Sequence, residues 1–427
     1  MALTVLIVSL FILMALGAPV AIALGVSSLL TFLVMDVPPV VAFQQMSAGI
    51  STFSLMAIPF FIFAGDLMAR AGIAERLVRL ASASLGSVRG GLGPVNVGAT
   101  MMFCSISGSA VASVSAMGST LIPMMRREGY DADYAVNVTT CAAILGVLLP
   151  PSHNLILYAA VSGGASVSVS DLFLAGIVPG LMTGVILAVT AWIIAVRRGY
   201  PKGVFPGWGG FGRAAIAAVP GLFTAVIIFG GVLGGIFTPT ESSAVAVIYT
   251  ALIAFVVYRT LGLRDFVKAA QNAVKTTAMI MLIIGTAAAF GWLLALNEAP
   301  ARLAEGMAYL SDNPIITLLM INVILLVLGT FMDMAPLVII TTPIFLPIAM
   351  NAGMSPVQFG IVMMLNQGIG LVTPPVGTVQ FVGCAIAGIR IEDVMKTIWP
   401  FYGALILALM AVTYIPAVTL WLPSVVG

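Results

Sequence analysis

LIPMMRREGYDADYAVNVTTCAAILGVLLPP at 121–151 and IFLPIAMNAGMSPVQFGIVMMLNQGIGLVTPP at 344–375 decide the fold, because the second stretch repeats the first 224 positions later. Pro123 maps to Pro347, Gly129 to Gly353, Gly146 to Gly370, and Pro150-Pro151 to Pro374-Pro375. Each stretch passes a glycine turn, enters an apolar run and stops on two prolines, which cannot continue a helix. Ahead of each lies an apolar run too long for one membrane crossing, about 93–125 and about 315–350. Small or turn-forming residues break these runs near their centres, SISGS at 105–109 and GTFMD at 329–333. Both runs therefore read as re-entrant hairpins that enter and leave on the same side.

Composition sets the solvent. Apolar residues make up 61% of the 427 and charged residues only 7%; a soluble domain has about 45–50% and about 25%. So little polar surface cannot cover a globule in water, and a bilayer removes that need. One crossing takes about 20 residues, and apolar runs place spans at 2–17, 18–35, 50–69, 134–163, 171–197, 214–234, 240–258, 273–296, 356–386 and 397–422. Met1–Gly17 lacks a basic start and a polar cleavage region, so it reads as a first span and not as a removed signal. The net charge of +2 is small and scattered, which argues against nucleic acid as a partner. Cys104, Cys141 and Cys384 lie in apolar runs without pair spacing, so neither a disulfide framework nor a metal cluster is expected.

Charge then orients the path. Lys and Arg beside spans favour the cytoplasm. If the chain starts outside, every Lys and Arg except Arg302 falls on the cytoplasmic side, and both termini are periplasmic. Each half holds three spans, a hairpin, a broken span and a last span. Five spans per half is odd, so the halves at 1–200 and 201–427 are expected to be inverted repeats, a plan of secondary transporters. The first half carries its hairpin at about 93–125 and its broken helix at about 134–163; the second carries them at about 315–350 and 356–386. Ile73–Leu85 and Ala299–Leu310 mix charged and apolar residues and read as interfacial helices.

No nucleophile–base pair, H-E-x-x-H, G-x-S-x-G or Walker A pattern is present, so no enzyme is expected. The chemistry falls on the four interruptions at membrane depth, since irregular backbone is tolerated there only against protein or a water-filled cavity. Broken helices expose carbonyls that hold cations and N-terminal N–H groups that hold anions. Tip 105–109 pairs with break 150–154, and tip 329–333 with break 373–378. Ser105, Ser107, Gly108, Ser109 and Pro150 in the first half, and Gly329, Thr330, Asp333, Thr373 and Gly377 in the second, are the candidate Na⁺ ligands. Such oxygen-rich, nearly uncharged surroundings suit Na⁺. Ser152, His153, Asn154, Thr341 and Thr378 are the candidate substrate contacts.

Some of these residues have second readings. Asp333 neutralises a cation or caps the second half-hairpin, and an intramembrane acid is a functional candidate by default. His153 donates to an anion, couples a proton or packs as a neutral ring. Thr238-Pro239-Thr240-Glu241 fits a capping box, Ser355-Pro356-Val357-Gln358 reads the same way, and Asp66 pairs with Arg70.

MAIPFFIFAGDLMARAGI (56–73), GSAVASVSAMGSTLIPMM (108–125), LLPPSHNLILYA (148–159), FLAGIVPG (173–180), GGIFTPTES (234–242), LGTFMDMAPLVIITTPIFLPIA (328–349) and GLVTPPVGTVQF (370–381) together give a resemblance. The chain resembles the large membrane subunit, DctM-type, of tripartite ATP-independent periplasmic (TRAP) transporters over essentially its whole length. The resemblance implies sodium-driven import of an organic acid (a C4-dicarboxylate, sugar acid or similar carboxylate) across the inner membrane. It implies an elevator-type fold of the ion transporter superfamily, with a small four-helix membrane subunit (DctQ-type) and a periplasmic solute-binding protein (DctP-type) as partners. No four-span block precedes Met1, so the small subunit is expected as a separate chain. Many members carry Ile-Pro where this chain has His153-Asn154. The alternative is a stand-alone divalent-anion/sodium symporter of the same architecture.

Overall fold

A computed structural model describes residues 2–162, 167–203, 205–310 and 313–426, without the side chains of 304 and 307–310. Helices account for the fold, and among the described residues the only extended pairing is one bridge between Arg89 and Lys202.

The first half runs α1 (Ala2–Ala15), α2 (Val20–Val34), α3 (Val40–Ile50), a 3-10 turn (Phe53–Met56), α4 (Ala57–Arg70), α5 (Ile73–Leu85), α6 (Leu92–Ser107) and α7 (Ala110–Arg127). It continues with α8 (Ala132–Ala143), α9 (Leu145–Leu148), α10 (His153–Val161) and α11 (Val169–Arg197). The second half runs α12 (Gly207–Leu233), α13 (Pro239–Leu252), a π turn (Ile253–Val257), α14 (Leu263–Leu296), α15 (Ala299–Leu310), α16 (Pro314–Phe331) and α17 (Met334–Asn351). It ends with α18 (Pro356–Gly370), α19 (Thr378–Ala387), α20 (Ile391–Met395), α21 (Trp399–Tyr414) and α22 (Pro416–Val426).

Among the described residues, length and apolarity alone qualify seven helices to cross a bilayer, or nine with each bent pair counted once; α1, α2, α6 and α19 are apolar but shorter. Five features differ from the sequence reading, the first being α12, which begins at Gly207 and not at 214. α3 fills a stretch expected to be loop, and α4 begins at Ala57 and not at 50, after the 3-10 turn. α14 begins ten residues early at Leu263, because Arg264 and Lys268 are good helix formers and Asp265 lies in the first turn, where the helix dipole favours an acid. The span expected at 397–422 bends by 59° at Ile415, which leaves helical geometry (φ −117°, ψ 88°) because Pro416 follows it.

The hairpins and broken helices recur in register. α7 and α17 start at Ala110 and Met334, and α8 and α18 at Ala132 and Pro356; both turns between them use a left-handed glycine, Gly129 (φ +84°) and Gly353 (φ +88°). Pro150-Pro151 and Pro374-Pro375 are both cis. The halves then interlock. α10 packs on α17, the hairpin arm of the other half, and α19 packs on α7 and α8. Around this body lie α2, α3 and α4 against α14, α13 against α4, and α12 against α5 and α13.

Buried amides brace matched helix pairs. Asn96 Nδ2 donates to Thr139 Oγ1 at 2.6 Å between α6 and α8, and Asn366 Nδ2 to Asn322 Oδ1 at 2.9 Å between α18 and α16. Inter-helix hydrogen bonds in lipid are worth about 0.6–2 kcal/mol. Asn366→Ala is expected to lose about that much, read as a lower thermal unfolding midpoint in detergent with the oligomeric state unchanged.

The expected caps divide. Thr238 Oγ1 accepts from the Glu241 N–H at 3.3 Å while the Glu241 carboxylate accepts from the Thr238 N–H at 2.8 Å, a complete capping box. Ser355 makes no such bond; Gln358 instead turns inward and donates to the carbonyls of Val412 and Thr413, both at 3.0 Å. Those carbonyls, at the frayed end of α21, leave a stronger need than the α18 N-terminus does.

Candidate functional site: the cavity between the hairpin tips

The first tip is built around Gly108. α6 stops there in the left-handed region (φ +62°), and Ser109 is extended (φ −139°, ψ 127°) before α7 begins. Any Cβ at Gly108 would run into the Pro151 carbonyl, so tip and first break touch through backbone. Ser109 caps α7 through the Ala112 N–H at 3.4 Å, and the Ser107 hydroxyl lies 2.9 Å from that of Ser113. The ring of His153 reaches the backbone of Gly108.

The second tip repeats the contact with different side chains. Asp333 occupies the position of Ser109, at the N-terminus of α17, where its carboxylate lies against the Met334 N–H without capping as Ser109 does. Gly370 lies against Gly329, where an added Cβ would come within 2.6 Å of the Gly329 carbonyl oxygen. The Val376 N–H donates to the Thr330 carbonyl at 3.0 Å, closing tip on break.

A cavity of 730 Å³ joins these parts. Its inner wall carries Ser107 and Ser109 from the first tip, His153 and Asn154 from the first break, and Asp333 from the second tip. The first turns of three helices end on it: Ala110–Ala112 of α7, His153–Asn154 of α10 and Met334–Ala335 of α17. Helix N-termini present unpaired N–H groups and partial positive charge, so their convergence favours an anion. The opposite wall comes from α4 and α14, with Asp66, Arg70, Asn272, Lys275 and Thr276.

The candidate residues thus separate into the cavity and two nests beside it. Ser107, Ser109, Asp333, His153 and Asn154 reach the cavity. Gly108 meets Pro151 and Ser152, directly after Pro150, at the contact of tip and break in the first half, and Ser152 Oγ is buried there with no hydrogen-bond partner. Gly329, Thr330, Thr373, Gly377 and Thr378 belong to the second contact region, where Thr378 Oγ1 is likewise buried and unpartnered. Buried oxygens without partners are uncommon and call for a ligand or water.

Four hydroxyls turn back on the preceding turn: Ser105 to Met102 O at 2.8 Å, Thr330 to Val327 O at 2.8 Å, Thr341 to Leu337 O at 2.7 Å and Thr373 to Ile369 O at 2.7 Å. Ser105 also faces away from the tip contacts, into a separate apolar cleft of 390 Å³ beside Met101 and Leu149.

Sequence reasoning missed the α4–α14 wall and Gln367. Asp66 and Arg70 do form the expected pair, at 3.3 Å, but Asn272 also reaches Asp66 at 3.4 Å and ties the two helices. The signal was present as helical spacing, since Asn272, Lys275, Thr276, Met279, Ile280 and Ile283 share one face. Gln367 is buried near Gly329 with both side-chain polar atoms unpartnered; its polarity within MMLNQGIG was the available clue.

Comparison with known proteins gives the following. The sequence family described as "Tripartite ATP-independent periplasmic transporter, DctM component" matches residues 7–418. The "C4-dicarboxylate TRAP transporter large permease protein DctM" of Vibrio cholerae is 39% identical over 96% of this chain and 95% of its own length. The "Sialic acid TRAP transporter large permease protein SiaM" of Vibrio cholerae is 37% identical over 96% and 95%. Among solved structures, the Alcanivorax borkumensis YdaH transporter superposes with a TM-score of 0.59 at 16% identity, covering 90% of this chain and 89% of that one, a likeness of fold.

Proposed function

Because the chain belongs to the DctM component family of tripartite ATP-independent periplasmic transporters, we propose that it imports an organic acid across the inner membrane, driven by a sodium gradient. The family makes it a multi-pass transport permease and not an enzyme. The one observation that carries the substrate class is the cavity where three helix N-termini converge. An acid group held there would be bound by Ser107, Ser109, His153, Asn154 and backbone N–H groups, without a buried arginine. Relatives named for a C4-dicarboxylate and for sialic acid, both carboxylates, support that class.

Sodium is assigned to the two nests of tip and break. The unpartnered Ser152 Oγ and Thr378 Oγ1 and the neighbouring carbonyls are hard oxygen donors of the kind Na⁺ takes, and the Asp333 carboxylate adds a charge from the cavity side of the second tip. Ordering of the tips links ion to acid, since both act on the same hairpins.

Sidedness follows from charge. The end of the cavity wall carrying Arg70 and Lys275 lies with the basic loops and faces the cytoplasm, so this is an inward-facing arrangement with both termini periplasmic. The register of the halves supports inverted repeats that move as an elevator. The word tripartite in the family description supports two further components, a small membrane subunit and a periplasmic binding protein.

The test is accumulation in proteoliposomes holding this chain with its small subunit, with the loaded binding protein outside. Uphill uptake of the acid is expected only with an inward sodium gradient and only with the binding protein. Full-rate uptake without the binding protein would favour a stand-alone divalent-anion/sodium symporter. Downhill flux indifferent to sodium would leave a passive channel.

A further inference from the structure

We infer that α4 and α14 carry a second anion station at the mouth of the cavity, centred on Lys275 and separate from the hairpin tips. The station deepens the transport reading and rests on it for its use. Charge on this wall does not cancel. Arg70 is neutralised by Asp66 at 3.3 Å, and Asp66 takes a further hydrogen bond from Asn272. Lys275 forms no ion pair or hydrogen bond among the described residues, leaving one net positive charge on the wall.

Geometry puts that charge at the entrance. α14 has 34 residues, about 51 Å of helix, against about 30 Å of hydrocarbon. Its charges, Arg264, Asp265, Lys268 and Lys275, all lie in the N-terminal part. The surplus of about 20 Å therefore falls at that end, about 14 residues, and Lys275 sits where the helix enters the bilayer. Past Thr276 the cavity face turns apolar with Met279, Ile280 and Ile283. α4 grades the same way, from Arg70 and Asp66 to Ile62.

An acid released from the tips must cross this ring before reaching water. Lys275, Asn272 and Thr276 offer N–H and O–H donors for one carboxylate while the tips still hold another part of the molecule. The Asp66–Arg70 pair sets the strength of the station, because loss of the Asp66 charge frees Arg70 to act beside Lys275.

The experiment reads the field directly and needs no known substrate. Ser115 lines the cavity between tip and mouth, and the native cysteines are buried. In the assembled complex carrying Ser115→Cys, the labelling rates of an anionic and a cationic methanethiosulfonate reagent are compared at low salt, each normalised to a free thiol. Lys275→Gln is expected to lower the anionic-to-cationic ratio about fivefold, and Asp66→Asn to raise it. Lys275→Arg retains it, and the differences shrink at high salt. A ratio unmoved by Lys275→Gln, or moved the same way by Lys275→Gln and Asp66→Asn, overturns the station. If the ratio responds as expected but the complex carries no carboxylate, the station stands and the transport reading falls.

Discussion

Gly108→Ala reduces sodium-driven uptake by about 100-fold or more and Gly370→Ala by about 10- to 100-fold, with membrane levels near normal. At Gly108 an alanine must hold a left-handed backbone, which costs about 1–2 kcal/mol, and its methyl meets the Pro151 carbonyl. At Gly370 the conformation is ordinary helix, but the methyl meets Gly329 backbone at 2.6–2.8 Å. Neither neighbour is a side chain that can swing away, so tip and break must separate, at about 1–3 kcal/mol for overpacking. Each 1.36 kcal/mol is tenfold in rate. Gly209→Ala, where nothing lies within 4 Å, serves as the control and should transport normally. Initial uptake rates normalised to immunoblotted protein decide the matter. Near-normal rates in both tip variants would mean the contacts do not matter for transport.

Asp333→Ala raises the sodium concentration for half-maximal uptake by about 100-fold, while Ser107→Ala raises it by less than about tenfold. Asp333 and Asp66 are the acids on the described cavity walls, and Asp66 is already satisfied by Arg70 and Asn272. A cation about 4 Å from a carboxylate gains about 4 kcal/mol at an effective dielectric near 20, most of which the alanine forfeits. Ser107 gives up one hydroxyl that is shared with Ser113. The competing role, a cap on α17, makes a different forecast: about 0.5–2 kcal/mol of stability lost with sodium dependence untouched. Sodium titration and thermal unfolding on the same sample separate the two. An unshifted sodium curve in Asp333→Ala removes Asp333 from the ion site.

The pairing of each tip with its own break was legible because Pro and Gly act through backbone sterics that need no tertiary context. Gly108 and Pro150-Pro151 announce where helices stop, and α6 and α9 end at Ser107 and Leu148. In the second half α16 runs through Gly329 to Phe331, and α18 ends at Gly370, ahead of Pro374-Pro375. The lining was less legible. Serine and threonine in lipid satisfy themselves on the preceding turn, as Ser105, Thr330 and Thr341 do, and sequence cannot distinguish that from a hydroxyl aimed at a ligand. Lys275 counted as a marker of sidedness because its charge says where the membrane ends, whereas its place on the cavity wall depends on α4 lying opposite. The failed Ser355 box has the same cause: a glutamine three positions on suits a cap, and distant carbonyls of α21 compete for it.

The interlocking of α10 with α17 and of α19 with α7 and α8 has a consequence for biogenesis. When the ribosome finishes α7 at Arg127, the surface destined for α19 stays bare until Ala387 is made, about 260 residues later. At about 5–20 residues per second that is a wait of roughly 13–50 s. Throughout it, a bent, polar-lined groove must be shielded within the membrane by insertion factors or by lipid. Neither half expressed alone would reach its mature form, and co-expressed halves would have to find each other before quality control removes them.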